Sequence, residues 1–133
     1  MILLDTHALL WLDTDDRRLG RKTRALIDRE WTHNRVGVSA ISFWEAGMLS
    51  TAGRFRPADP VPDWRRRWID AGLIEFPLDG AIMVRALDLG ALPQDPVDRF
   101  IAATALTLKA TLVTADVRIL SWRHSVLRQD ARS

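Results

Sequence analysis

The sequence predicts an α/β layer fold built on a parallel sheet. Three observations carry that expectation. Short apolar runs of the kind that form buried strands alternate along the chain with segments of helical periodicity. The stretch from Asp95 to Ala110 reads as a helix that is apolar almost all round, through Phe100, Ile101, Ala102, Ala103, Ala105, Leu106 and Leu108, and a helix without a polar face is normally a buried one. A length of 133 residues with 47% hydrophobic content suits a single domain spanning residues 1–133, with a substantial core.

The elements follow in order. Ile2, Leu3 and Leu4 form a buried strand that ends at Asp5. Residues 6–12 read as a helical turn or short helix and 13–16 as a polar loop, followed by a helix over 19–34 with Leu26, Ile27 and Trp31 inward. Val36, Gly37 and Val38 form a second strand, and Ser39 caps a helix running to about Ser50. Ala52-Gly53-Arg54 breaks that helix, and Pro57, Pro60 and Pro62 mark an irregular connector. A helix over 63–71 turns Trp64, Trp68 and Ile69 to one side, and a third strand over 73–76 is closed by Pro77. Asp79 starts a helix through Leu89 that Gly90 stops. Residues 92–94 lead into the helix at 95–110, where Asp95 is a good N-cap and Pro96 suits the first helical position. A fourth strand spans 111–114, a short helix or turn 115–122 and a short fifth strand 125–128, before a free tail.

Composition narrows the chemistry. There is no cysteine, hence no disulfide framework and no thiolate metal site, which fits the cytoplasm. No apolar run approaches a membrane span, and Met1–Asp5 lacks the basic region of a signal peptide. Net charge is only +2, so the distribution of sign matters more than the sum. Arg17, Arg18, Arg21, Lys22 and Arg24 form one basic stretch; Arg54, Arg56 and Arg65–Arg67 form another. Each is ordinarily a solvated face, and gains meaning only beside a site for a polyanion. Among the six tryptophans, Trp11, Trp44, Trp64 and Trp68 read as core or interface residues.

In a parallel α/β fold, strand C-termini and helix N-termini share one rim, and ligands bind in the crevice there. Asp5 ends the first strand, Asp116 lies two residues past the fourth, and Asp98 lies in the first turn of the helix at 95–110. Glu45 starts ~9 Å below the rim at 1.5 Å per residue, but helical side chains lean back toward the N-terminus. Gly47 is read as permitting close packing beside it. Each acid has an ordinary explanation: Asp5, Asp98 and Asp116 as caps, Glu45 as a surface residue. Together they would repel and raise one another's pKa unless a cation sat among them. Oxygen donors without Cys or paired His select a hard ion, Mg²⁺ or Mn²⁺ rather than Zn²⁺.

Four segments, Leu3–Trp11, Ser39–Glu45, Asp95–Ala103 and Leu112–Asp116, closely resemble PIN-domain ribonucleases, in particular VapC-type toxins of bacterial toxin–antitoxin pairs. The resemblance covers nearly the whole chain in order and spacing. It implies a three-layer α/β/α fold with the sheet ordered 3-2-1-4-5, Mg²⁺-dependent endoribonuclease activity, a homodimer, and a cognate VapB-type antitoxin that occludes the site. It implies Asp5, Glu45, Asp98 and Asp116 as the acidic quartet, with Asp5 and Asp98 as the principal metal ligands and Asp116 and Glu45 as ligands of a second ion or orienters of the attacking water. Thr114 matches a hydroxyl position near the site, Thr6 follows the first acid, and Asp95 either joins the site or caps its helix, the cap being favoured. His7 has no role in the motif. Such a site would cut by an activated water and leave a 5′-phosphate.

Other readings fit less well. A receiver-type signalling domain needs an Asp after the third strand, where Pro77 stands, and a Lys at a late strand end, whereas Lys109 lies in a helix. An Asp-nucleophile phosphatase wants a second Asp where His7 stands. The alternative of another class is a catalytically weak PIN-like module that binds RNA or protein.

Overall fold

In the computed structural model, which describes residues 1–92 and 94–133, the apolar runs pair side by side. Strands β1 (Ile2–Leu4), β2 (Val36–Ser39), β3 (Ile74–Phe76), β4 (Thr111–Thr114) and β5 (Arg128–Asp130) form one sheet in the order β3-β2-β1-β4-β5, every pair parallel. This is the expected order. The helices are α1 (Thr6–Asp13), α2 (Arg21–Thr32), α3 (Ile41–Thr51), α4 (Val61–Ala71), α5 (Gly80–Arg85), α6 (Pro96–Leu108) and α7 (Val117–Leu120).

The central strands are buried on both faces, and their side chains alternate between two cores. Ile2, Leu4 and Val113 pack with Leu9, Trp11, Ile27, Phe43 and Trp64 on one face of the sheet. Leu3 and Leu112 pack with Ile101, Ala102, Ala105 and Ile119 on the other. A period of two within so short a strand serves both layers at once, so β1 is apolar throughout. The fully buried α6 alanines Ala102, Ala103 and Ala105 let that helix lie close under the sheet. Across the first layer, the Asp13 carboxylate at the end of α1 accepts hydrogen bonds from the indoles of Trp64 (2.9 Å) and Trp68 (3.1 Å), fastening α1 to α4.

Several boundaries depart from the sequence expectation. The helix expected over 19–34 starts at Arg21, behind Gly20, where a Cβ would lie 2.1 Å from the Ser133 carbonyl oxygen. Helix α4 begins at Val61, with Pro62 in the first turn, where its missing N–H is harmless. The helix after Asp79 tightens into a 3₁₀ turn at Ala86–Asp88 before Gly90 (φ 59°) ends it. Position 40, not Ser39, is the N-cap of α3, although the Ser39 hydroxyl accepts from the Ile41 N–H at 3.3 Å. The fifth strand lies at Arg128–Asp130 rather than 125–128, because Val126 turns into the core and Arg128 donates to the carbonyls of Ile119, Trp122 and His124. The tail is not free: Ala131 is fully buried, its N–H donates to the Thr114 carbonyl, and the Thr23 N–H donates to the Ser133 carbonyl. Trp11 and Trp64 are core residues, whereas Trp44 is 57% exposed. The expected connector at 92–94 includes Pro93, which lies outside the described residues.

Candidate active site

The rim at the C-terminal ends of β1 and β4 gathers the acids because the same residues end strands and begin helices. Asp5 closes β1, its N–H donating to the Val113 carbonyl at 3.0 Å, and it caps α1 by accepting from the Ala8 N–H at 2.8 Å. Asp116 caps α7, accepting from the Arg118 N–H at 2.8 Å. Asp95 caps α6, accepting from the Val97 N–H at 3.0 Å, and Asp98 follows in its first turn. Glu45 reaches the rim from α3. All five carboxylates line one hollow of about 330 Å³, together with Thr6, His7, Trp11, Arg18 and Arg118. Capping therefore does not compete with a place in the hollow: a carboxylate spends one oxygen on the backbone and keeps the other.

The buried Thr114 hydroxyl is the hinge pin of this arrangement. It hydrogen bonds to the Asp5 carboxylate and accepts from the Asp116 N–H at 3.1 Å, so β4 positions both acids through one side chain. Thr6 lines the hollow, but its hydroxyl donates to Ser42 at 3.0 Å and ties α1 to α3. Gly47 is not required by crowding, since the nearest atom to an added Cβ is Val61 Cγ1 at 4.0 Å.

Burial and crowded negative charge act on the acids unequally. Burial, then the neighbouring Asp95 and Asp116 carboxylates, push Asp98 up to about 7, against the pull of Arg118. Burial likewise raises Asp5, against the hydrogen bonds from Thr114 and the Ala8 N–H. Asp116 is held below the usual carboxylate range by the Arg118 side chain. That guanidinium lies 2.8 Å from Asp116 Oδ2 and 3.4 Å from Asp98 Oδ2, bridging the two acids. Sequence reasoning missed Arg118. The only signal is its offset of two residues from Asp116, which reads as an ordinary surface charge.

The donor set fits a hard divalent ion. It offers carboxylate oxygens in one hollow, where burial and then the neighbouring carboxylates raise Asp98, a strain that an added cation would relieve. Among the described residues no three acid or histidine side chains already stand drawn together as ligands; the positive charge between Asp98 and Asp116 is that of Arg118. Asp5, Asp98, Asp116, Glu45 and Asp95 all line the hollow, and they are the side chains that could serve as ligands if an ion drew them together.

A family model described as the PIN domain matches residues 2–122. The chain is 31% identical over 124 residues to "Ribonuclease VapC22" of Mycobacterium tuberculosis, covering 92% of each chain. Among solved structures it is similar to the VapBC2 complex of Rickettsia felis bound to a promoter DNA fragment (TM-score 0.71, 14% identity, 97% and 98% of the two chains). It is also similar to a DNA-bound VapBC complex of Salmonella typhimurium (TM-score 0.69, 15% identity, 98% and 97%). Identities this low speak to the fold alone.

Proposed function

The chain belongs to the PIN-domain family, and from that premise we propose that it is a Mg²⁺-dependent endoribonuclease, with Mn²⁺ as a substitute, acting as the toxin of a toxin–antitoxin pair. The observation that carries the reading is the convergence of Asp5, Glu45, Asp98 and Asp116, from distant parts of the chain, on one hollow at the strand ends. The curated relative is named a ribonuclease, and the solved neighbours are titled as complexes of VapB with VapC. The partners that follow are RNA as substrate, a VapB-type antitoxin and a second copy of the chain, in the cytoplasm, with residues 1–133 working as one domain. A homodimer would register in sedimentation as twice 15.1 kDa. Among the described residues no helix is long and apolar enough to cross a membrane.

A bound divalent ion would supply charge neutralisation for the phosphoryl group and a water acidic enough to attack at neutral pH. The chain does the rest. Asp5 and Asp98 would hold the ion, Asp116 and Glu45 would hold a second ion or orient the attacking water, and Thr114 fixes Asp5 and Asp116 relative to each other. The test is Mg²⁺-dependent, EDTA-sensitive cleavage of RNA leaving 5′-phosphate ends, lost in Asp5→Asn and Asp98→Asn variants that remain folded. Products ending in a 2′,3′-cyclic phosphate, or either variant cleaving at the wild-type rate, would overturn the assignment. The Arg118 bridge favours the alternative of a weak, RNA- or protein-binding module, and the same assay decides it: no turnover at any Mg²⁺ concentration would leave binding alone.

A further inference from the structure

The acidic hollow shares lining side chains with two others. Arg118 lines both it and a larger hollow of about 630 Å³ on the α7 side. His7, Trp11 and Arg18 line both it and a third hollow of about 400 Å³ on the α3 side. The two outer hollows are both cationic, yet they differ in kind.

On the α3 side the available positive charge is Arg54 and Arg56, both exposed and making no side-chain hydrogen bond or ion pair among the described residues. The remaining charges there are spent: Arg18 is paired with Asp16 at 2.7 Å. The aromatic rings are spent too. Trp11 is buried beneath the guanidinium groups of Arg18 (4.8 Å) and Arg132 (5.3 Å), and Phe55 is buried against Trp64. This hollow offers charge without a free ring face.

On the α7 side Arg123 is exposed and likewise makes no side-chain bond among the described residues, facing only the lone carboxylate of Asp88 across the hollow. Here a ring is presented. His124 is exposed and lies flat on the buried Trp122, with centroids 4.3 Å apart and planes 19° from parallel. The turn that carries it is held rigid by Arg128, which donates to the carbonyls of Ile119, Trp122 and His124. A pre-formed stack with one face outward is a platform for a base; unpaired arginines without a ring are a grip for phosphate.

Resting on the ribonuclease reading, we propose that a single strand of RNA crosses all three hollows, one nucleotide beside the cut stacking its base on His124 with its phosphate on Arg123, and the strand beyond the cut held by its backbone alone on Arg54 and Arg56. Sequence preference is thus set on one side of the scissile phosphate only.

The experiment uses the full chain carrying Asp98→Asn, with a fluorescent single-stranded RNA oligonucleotide, and reads binding by anisotropy over a salt series. His124→Ala weakens binding about tenfold, as loss of a stacked base does, and leaves the salt slope unchanged, while His124→Phe restores the affinity. The double variant Arg54→Ala with Arg56→Ala weakens binding and lowers the salt slope by about 0.7 for each arginine. In the otherwise wild-type chain, His124→Ala redistributes the cleavage sites mapped on a mixed-sequence RNA, whereas the arginine variant lowers cleavage at all sites alike. Unchanged melting temperatures keep these effects from being unfolding. If the parent protein binds and cuts RNA but the His124 and Arg54/Arg56 variants match it in affinity and site choice, the path is wrong. If the parent protein neither binds nor cuts single-stranded RNA, the ribonuclease reading itself falls.

Discussion

Asp98 bears the consequences of sharing a small space with like charges. Its pKa of about 7 in the fold lies well above the ~3.9 of an unfolded aspartate. The folded state therefore binds more protons between those values, and stability falls as pH rises from about 4 to 7, the penalty being complete above 7. Asp98→Asn removes the penalty, so without metal at pH 8 the variant should melt higher by the equivalent of ~1 kcal/mol or more, measured by calorimetry, while losing cleavage. A carboxylate must shed its proton to bind metal. Metal binding should accordingly strengthen as pH rises from 6 to 8, with proton release detectable by titration calorimetry in buffers of different ionisation heat. Thr114 is the complementary case. Thr114→Val keeps the volume but loses the hydroxyl that joins Asp5 to the Asp116 backbone, a change expected to destabilise by about 1–2 kcal/mol and to reduce cleavage even with Mg²⁺ in excess. Asp5, Asp98 and Asp116 are legible in the sequence because strand-end and helix-start chemistry puts acids on a shared rim. Arg118 is not, because a cation two residues from an acid in a four-residue helix carries no periodic signal.

At the scale of elements, helix ends and strand ends do the positioning, and ties between helices keep them in place. The Asp13 carboxylate under two indoles is the clearest such tie. Asp13→Ala strands both N–H groups, one of them on the fully buried Trp64, and should cost about 1–3 kcal/mol, read by urea unfolding, with cleavage per folded molecule unchanged. The first four strands and α6 are readable because their apolar patterns are unambiguous, whereas the order of the strands follows from the family resemblance and not from any pattern. Strand β5 is not readable, because Arg128, Gln129 and Asp130 form an edge strand held by backbone pairing to β4 and by contacts with α2, neither of which leaves a hydrophobic run. The tail was misjudged for the same reason: Ala131 is small, and its burial comes from the sheet's edge rather than from its own apolarity.

At the scale of the molecule, the hollows that hold the five acids also hold Arg54, Arg56 and Arg123, while the net charge of +2 conceals both signs. Removing divalent ions with EDTA should abolish cleavage while leaving the chain folded, as circular dichroism would register. The reason lies in the guanidinium that bridges Asp98 and Asp116. The chain's own arginine already answers the charge of the two acids, so the proposed ion would have to displace it or sit beside it. Under the proposed metal dependence, a newly made copy would reach its shape before any ion arrived, and the onset of cutting would follow the supply of that ion rather than the end of folding.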